Sequence, residues 1–139
     1  MKAGRELDAL VAEKVMGWIK TDESKYDEEG IEMTVMESPQ GAMAQAFGWG
    51  FECDFDDFGP SLPRFSSDVS AAWEVIEHFS ETHRGSVVRW FGKNGERYAA
   101  SFWPLMETDV VPRDHIPAET APLAICLAAL KAVGVEVEA

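Results

Sequence analysis

Arginine and aromatic side chains occur together between residues 84 and 103 of a chain that is otherwise acidic. Guanidinium groups bind phosphates through charge-assisted hydrogen bonds, and aromatic rings offer a stacking surface to a nucleobase. The two arms of a predicted hairpin carry Arg89 and Arg97, so we expect these side chains to approach each other. The residues predicted to contact an anionic small molecule, such as a signalling nucleotide, are Arg89, Arg97, Trp90, Tyr98 and Trp103. The alternative is that the arginines pair with the abundant carboxylates and the aromatic rings form core.

Ser66 and Ser67 add a second kind of anion contact to this prediction. They come just before a predicted helix, and the free backbone N–H groups of a helix N-terminus attract anions. Asp68 follows them and would repel a phosphate, although its charge suits the helix terminus. We include Ser66 and Ser67 as candidate ligand contacts, with capping of the helix as their alternative role.

Glu74 and His78 are the residues whose spacing is compatible with catalysis. Residues four apart touch on a helix, as a general acid–base pair or half of a metal site requires. The sequence has no HExxH, GxSxG or Walker A motif. A surface contact without chemistry is the simpler interpretation, so we expect a protein that is not an enzyme. A hydrolase built on this pair is the third functional hypothesis.

The acidic loop 54–59 and the two cysteines complete the candidates for chemistry. The loop offers three carboxylates, but their spacing lacks the glycine and the glutamate of a calcium-binding EF-hand loop. Cys53 and Cys126 lie far apart in apolar segments, which predicts two reduced, buried thiols. We expect no metal and no cofactor.

The element predicted to organise the fold is a helix within residues 63–79. Pro63 keeps the preceding chain extended. The apolar residues of the helix recur at steps of three and four, which predicts one buried stripe with the large Trp73 at its centre. This stripe comprises Val69, Ala72, Trp73, Ile76 and Phe79.

Strands are predicted on both sides of this helix. Residues 31–38 alternate between apolar and polar side chains, and residues 44–53 form a second strand candidate, with residues 21–30 as a loop before them. The Asn94-Gly95 dipeptide predicts a hairpin that joins strands at 86–92 and 96–103. Both faces of this hairpin carry aromatic residues, which predicts a sheet covered on both sides.

Two more helices are predicted near the ends of the chain. Residues 5–19 form an amphipathic helix with a weak point at Gly17. After a loop at 104–119, Thr120 caps the last helix, and Gly134 follows its end. The residues of this last helix predicted to face inward are Cys126, Leu130 and Val133.

The charge of the chain excludes one class of partner. The net charge is −13, and residues 21–60 contribute −10, from eleven acidic residues and one basic residue. A surface that neutralises phosphates needs clustered Lys and Arg, so we expect no direct nucleic-acid binding. The alternative function is an acidic interaction module in which residues 21–60 engage a basic protein.

Length and hydropathy predict a single domain over residues 1–139. The sequence has no apolar run long enough to span a bilayer and begins without the apolar region of a signal peptide. We therefore expect no membrane association and a cytoplasmic location. Exposed aromatic residues on the hairpin would favour a homodimer.

Three segments of the chain resemble one known family, the phage ABA-sandwich domain proteins of phages and prophages. Residues 65–75, with Phe65-Ser66-Ser67-Asp68 leading into Ala71-Ala72-Trp73-Glu74-Val75, resemble its central motif. The family usually shows Tyr-Ser-Thr-Asp there, so Phe65 and Ser67 depart from it. Residues 7–18 resemble its first helix, and residues 120–130 its last.

The resemblance implies an α+β fold, a helix–sheet–helix (ABA) sandwich with a mainly antiparallel sheet. It also implies a phage or prophage source, hence a bacterial host cell, but no chemistry. Some small phage proteins sequester cyclic nucleotide signals of host immune systems, and an anti-defence role of this kind is one hypothesis for the predicted anion site. Under the alternative hypothesis, the basic partner is a host or phage protein.

Overall fold

The structure, a computed structural model, describes residues 2–26, 32–40, 43–47, 63–105 and 115–135. The three predicted helices are confirmed, and the described residues form six strands. In chain order the elements are α1 (Arg5–Lys14), β1 (Ile19–Tyr26), β2 (Glu32–Glu37), β3 (Met43–Phe47), α2 (Val69–His78), β4 (His83–Arg89), β5 (Tyr98–Pro104), β6 (Ile116–Ala118) and α3 (Ala121–Ala132).

The strands form two antiparallel sheets, each of three strands in sequence order. The first sheet contains β1, β2 and β3, and the second contains β4, β5 and β6. Met36 of β2 is buried in the same core as the helices. The architecture is that of an α+β sandwich, as predicted.

Helix α3 lies at the centre of the core, whereas the sequence predicts that α2 organises the fold. Every residue from Ala124 to Leu130 is buried. The helix contacts the β4–β5–β6 sheet and also both other helices. A helix that is apolar all round is one enclosed by its neighbours, and the alanines of α3 let those neighbours come close. Cys126 and Leu130 face inward as predicted, but Val133 is exposed because it follows the last helical residue.

Helix α2 begins at Val69, and its cap is not one of the two predicted serines, Ser66 or Ser67. The Asp68 carboxylate accepts a hydrogen bond from the Ser70 N–H at 3.1 Å and is the N-cap. The helix buries Ala71, Ala72 and Val75, and its C-cap residue Phe79 is buried as well. Small residues therefore dominate its contact with α3.

The prediction of Trp73 as the centre of a core is wrong. Its side chain is 56% exposed, and that of Val69 is exposed as well. The buried stripe is rotated relative to the predicted one, because α2 meets the small residues of α3 through its own alanines. The large indole lies at the margin of this contact instead of inside it.

Helix α1 ends at Lys14, earlier than predicted. Gly17 follows with a φ of +78°, a left-handed conformation that favours glycine. The Trp18 N–H then donates to the Ala12 carbonyl at 2.8 Å. Beyond this turn the chain enters β1, so the predicted loop at 21–30 is wrong for residues 21–26, which lie in that strand.

The other predicted strands before α2 are confirmed within the described residues. The strand predicted at 31–38 corresponds to β2, and the start of the strand predicted at 44–53 corresponds to β3. Residues 48–62 lie outside the described part of the chain, so the predictions for Cys53 and for the acidic loop 54–59 remain predictions.

The predicted hairpin is confirmed as β4 and β5. Gly95 in its turn has a φ of +85°, which explains the glycine after Asn94. Strand β4 begins at His83, before the predicted start, and includes Gly85. The predicted loop at 104–119 contains strand β6, a three-residue element too short for its pattern to be visible in the sequence. Thr120 caps α3 as predicted, accepting from the Leu123 N–H at 3.3 Å.

Candidate functional site

The pairing of β4 with β5 brings Arg89 and Tyr98 together. These residues lie directly opposite each other in the register of the two strands. The guanidinium carbon of Arg89 lies 5.2 Å from the centre of the Tyr98 ring. This distance is that of a cation–π contact, which holds the charge of Arg89 above the ring. Arg89 is exposed, whereas Tyr98 is partly buried and packs against the core.

Arg97 and Trp90 lie beside this pair but on the opposite face of the sheet. The Trp90 N–H donates to the Arg97 carbonyl at 2.8 Å, which makes them neighbours across the hairpin. Because successive side chains of a strand point to opposite faces, Arg97 is directed away from the face of Arg89 and Tyr98. The sequence predicts that Arg89 and Arg97 approach each other. In the structure their strands are neighbours, but their guanidinium groups lie on opposite faces of the sheet.

A cleft of about 610 Å³ opens where the hairpin turn, β6 and the start of α3 meet. This volume is in the range of small-molecule sites. Leu123 and Leu127 of α3, with Pro117 and Ala118 of β6, form its apolar floor. Its polar residues are Lys2, Asn94, Glu96, Glu119 and Thr120.

The hairpin turn, which forms one side of this cleft, is stabilised by Glu96. Glu96 folds back over the turn, where its carboxylate accepts a hydrogen bond from the Asn94 N–H at 3.0 Å. A Cβ atom at Gly92 would collide with this Glu96 side chain. The glycine thus permits the fold of the turn that lines the cleft.

The Arg89–Tyr98 pair lies on the same face of the sheet as this cleft. Arg89 pairs with Tyr98, and Tyr98 pairs with Ala118, which lines the cleft. Adjacent strands are about 4.8 Å apart, so the Cα atoms of Arg89 and Ala118 are roughly 10 Å apart. Neither Arg89 nor Tyr98 lines the cleft, and Tyr98 adjoins it through its pairing with Ala118. We call this combination of the cleft with Arg89 and Tyr98 the hairpin site.

Ser66 does not line the cleft of the hairpin site and instead forms hydrogen bonds with a buried carboxylate. Its N–H and its hydroxyl both donate to Oδ1 of Asp8, at 2.8 and 2.6 Å. Its hydroxyl oxygen accepts from the Gly4 N–H at 3.0 Å. Asp8 is only 1% exposed. Its hydrogen bonds to Ser66 join α1 to the segment before α2.

Ser67 and Trp103 are also separate from the hairpin site. Ser67 is exposed, and its N–H donates to the Arg64 carbonyl in a local turn. Trp103 lies opposite Arg84 near the other end of β5. The five residue steps from Tyr98 to Trp103 span roughly 16 Å.

Cys126 is a free, buried thiol, as predicted. Burial raises its pKa, and the charge of Asp8 raises that pKa further. The neutral thiol is thus the form stabilised in the core, and such a cysteine is a poor nucleophile.

Glu74 and His78 are both exposed on α2. The His78 ring makes an edge contact with the ring of Phe79 at 5.8 Å between centroids. Within the described ranges, no group of three or more His, Cys, Asp and Glu residues is arranged to hold a metal ion.

Sequence reasoning missed the cleft and the Asp8 contact for different reasons. The cleft forms only where the turn, β6 and α3 meet, and no local pattern in the sequence encodes that meeting. Asp8, in contrast, shares a helical face with Ala12 and Val15, because residues three, four and seven apart lie together. A carboxylate on a buried face needs a hydrogen-bond partner. The position of Asp8 in the helix could therefore have predicted a buried contact.

The described elements define a class: a small α+β sandwich in which a buried helix packs on an antiparallel sheet. The phage ABA sandwich domain matches residues 9–130, and the chain belongs to this family of phage proteins, whose role is unassigned. A crystal structure at 2.0 Å of a phage protein from Bacillus cereus ATCC 14579 has a similar fold, with a TM-score of 0.57 and 22% identity. That similarity covers 99% of this chain and 93% of the other.

No curated protein matches the chain. Among the described residues, no helix has the length and apolar character needed to cross a membrane.

Proposed function

We propose that this phage protein is a non-catalytic binding protein that sequesters an anionic small molecule with an aromatic ring at the hairpin site. The observation that carries the proposal is the Arg89 guanidinium above the Tyr98 ring, beside a cleft of about 610 Å³. A charge next to an apolar cleft fits a ligand with an anionic group and a flat body.

The charges around the cleft orient this ligand. Glu96 and Glu119 lie on its rim and would repel an anion placed beside them. With its anionic group at Arg89, the ligand places its ring on the floor formed by Leu123 and Leu127, and Lys2, which lines the cleft, is a second cation near it. Carboxylate and amide oxygens of the rim accept hydrogen bonds, which suits the hydroxyl or amino groups of a nucleoside.

A nucleotide meets each of these requirements, and sequestration of a host signalling nucleotide would be an anti-defence function. As part of the proposal, the protein acts in the cytoplasm of the bacterial host. Trp90 and Arg97 lie on the other face of the hairpin and are not part of the hairpin site.

The test is to recover the ligand from cells. Purified protein is incubated with small-molecule extracts of uninfected and phage-infected bacteria, washed, and heated to release what it holds. Mass spectrometry then identifies the released compounds. We expect an anionic compound with an aromatic ring from the wild-type protein and much less of it from Arg89→Ala.

Arg84→Ala is the matched control for this test. Arg84 is an exposed arginine on the same strand, but it points to the other face and lies opposite Trp103. We expect Arg84→Ala to retain the compound. Equal retention by Arg89→Ala and the wild type would contradict the proposed site, and no released compound from either extract would contradict the function.

The alternative, an acidic module that engages a basic protein, rests on residues 21–60. Side chains in this segment lie largely outside the described part of the chain, so that alternative remains a prediction. A steep loss of partner binding with rising salt would support it, because exposed charges are screened by salt.

A further inference from the structure

Strand β4 forms an edge of its sheet. The order β4–β5–β6 leaves its outer side without a neighbouring strand among the described residues. Its side chains are mostly exposed, and the next residues, Trp90 and Phe91, are exposed too, Phe91 at 93%. An edge strand with exposed apolar residues is a template for pairing with another strand.

The hydrogen bonds at the two ends of β4 show which residues face outward. The Thr82 carbonyl accepts from the Leu105 N–H at 3.1 Å, and the Trp90 N–H donates to the Arg97 carbonyl at 2.8 Å. Antiparallel strands bond to a given neighbour through alternate residues, so even-numbered residues bond toward β5. The N–H and C=O groups of Gly85, Val87 and Arg89 therefore point to the open edge.

We propose that β4 pairs antiparallel with β4 of a second copy, with Val87 opposite Val87 on the two-fold axis. This register pairs Gly85 with Arg89 of the other copy and joins Gly85, Val87 and Arg89 in backbone hydrogen bonds. The two three-stranded sheets become one six-stranded sheet. The interface is self-complementary, as a two-fold dimer requires.

The same register gives the exposed aromatic residues partners. Phe91 comes opposite His83 of the second copy. His83 already contacts Phe79, which contacts Phe102, with ring centroids 4.8 Å apart in both cases. The most exposed aromatic ring among the described residues thus extends an existing aromatic cluster.

On the other face, the register places Arg84 opposite Trp90 of the second copy. This arrangement is a cation–π pair that forms twice in the dimer. Arg84 and Arg89 of opposing strands lie on opposite faces, because they occupy successive levels of the ladder. Like charges are therefore not directly opposed, although β4 is basic. The self-complementary register, which forms the Arg84–Trp90 pair twice and opposes no like charges, is what favours a second copy as the partner of this edge.

Sedimentation velocity of the purified full chain across a wide concentration range tests the proposal. We expect the wild type to reach twice the 15.4 kDa of one chain. Val87→Lys opposes two like charges on the axis and should raise the dimer Kd by roughly tenfold or more. Phe91→Ala removes a side chain that the single chain leaves exposed, so it should weaken the dimer without affecting the fold.

Trp73→Ala is the matched control, because it removes an exposed aromatic side chain from α2, away from β4. It should leave the dimer intact, and circular dichroism should show all variants folded. A wild type that stays monomeric at every concentration would overturn the proposal, as would a dimer that resists both β4 variants. An acidic peptide that binds β4 of a monomeric wild type would assign the edge to a different occupant and also overturn it.

Discussion

Replacing Ser66 by alanine tests the buried contact that joins α1 to the segment before α2. The change removes the Ser66 hydroxyl, which donates to Asp8 at 2.6 Å and accepts from the Gly4 N–H at 3.0 Å. The shorter distance is typical of a hydroxyl bound to an ionised carboxylate. Such a bond contributes about 1.5–3 kcal/mol, and a neutral bond about 1 kcal/mol. We expect Ser66→Ala to lower the free energy of unfolding by about 3 kcal/mol, since the Asp8 carboxylate would stay buried without its hydroxyl donor.

Ser67→Ala provides a neighbouring control of the same chemical change. Ser67 is exposed, and its backbone N–H, which the substitution keeps, makes its hydrogen bond to Arg64. We expect a change within about 0.5 kcal/mol. Urea denaturation of the two variants measures both values, provided that the slope with denaturant is unchanged. Similar stabilities for Ser66→Ala and Ser67→Ala would refute the reasoning that the Asp8 contact is a main link between these segments.

Three further outcomes follow from packing and burial. Gly85→Ala should destabilise the protein in thermal denaturation, because its Cβ would lie 2.8 Å from the Phe102 ring; an unchanged melting temperature would contradict that contact. Trp73→Ala should cost less than about 1 kcal/mol in urea, against about 2 kcal/mol for the buried Val75→Ala, and the reverse order would contradict the observed face of α2. Cys126 should resist alkylation until the protein unfolds, as peptide mass spectrometry can measure.

The raised pKa of Cys126 also predicts how stability changes at alkaline pH. The thiol of the unfolded chain ionises near its ordinary pKa of about 8.5, whereas burial and Asp8 raise the pKa in the folded protein. The unfolded chain then loses a proton that the folded protein keeps. This difference in pKa therefore leaves the free energy of unfolding unchanged below pH about 8.5. Above that pH, the free energy of unfolding falls as the pH rises. Cys126→Ala should flatten this alkaline decline in urea titrations, and an unchanged slope would contradict the assignment.

Elements with strong local signals were predictable from the sequence. The Asn94-Gly95 dipeptide predicted the hairpin because Asn-Gly is a strong hairpin signal between two strands. Thr120 fixed the start of α3 because its hydroxyl satisfies a free N–H at the helix terminus. The resemblance to the phage family covered segments of all three helices, and it predicted the α+β class correctly.

Features that depend on tertiary contact were not predictable in this way. The helical period identified α2, but it did not show that α3 would meet the alanines Ala71 and Ala72 and leave Trp73 outside. The hairpin signal placed Arg89 and Arg97 on neighbouring strands, but only the register shows that they point to opposite faces. The cleft beside Arg89 depends on β6 and α3 meeting the hairpin turn and residues 2–3, which are distant from them in sequence.

Filling the cleft is the most direct test of the central claim that the hairpin site holds a small anionic ligand. Leu123→Trp adds a ring to the cleft floor and changes no charge, and Val69→Trp adds the same ring at an exposed position on α2. The measurement is the amount of compound that each variant retains from bacterial extract, relative to the wild type. We expect Leu123→Trp to lose the compound and Val69→Trp to retain it. Full retention by Leu123→Trp would contradict the central claim, because the ligand would then lie outside the cleft.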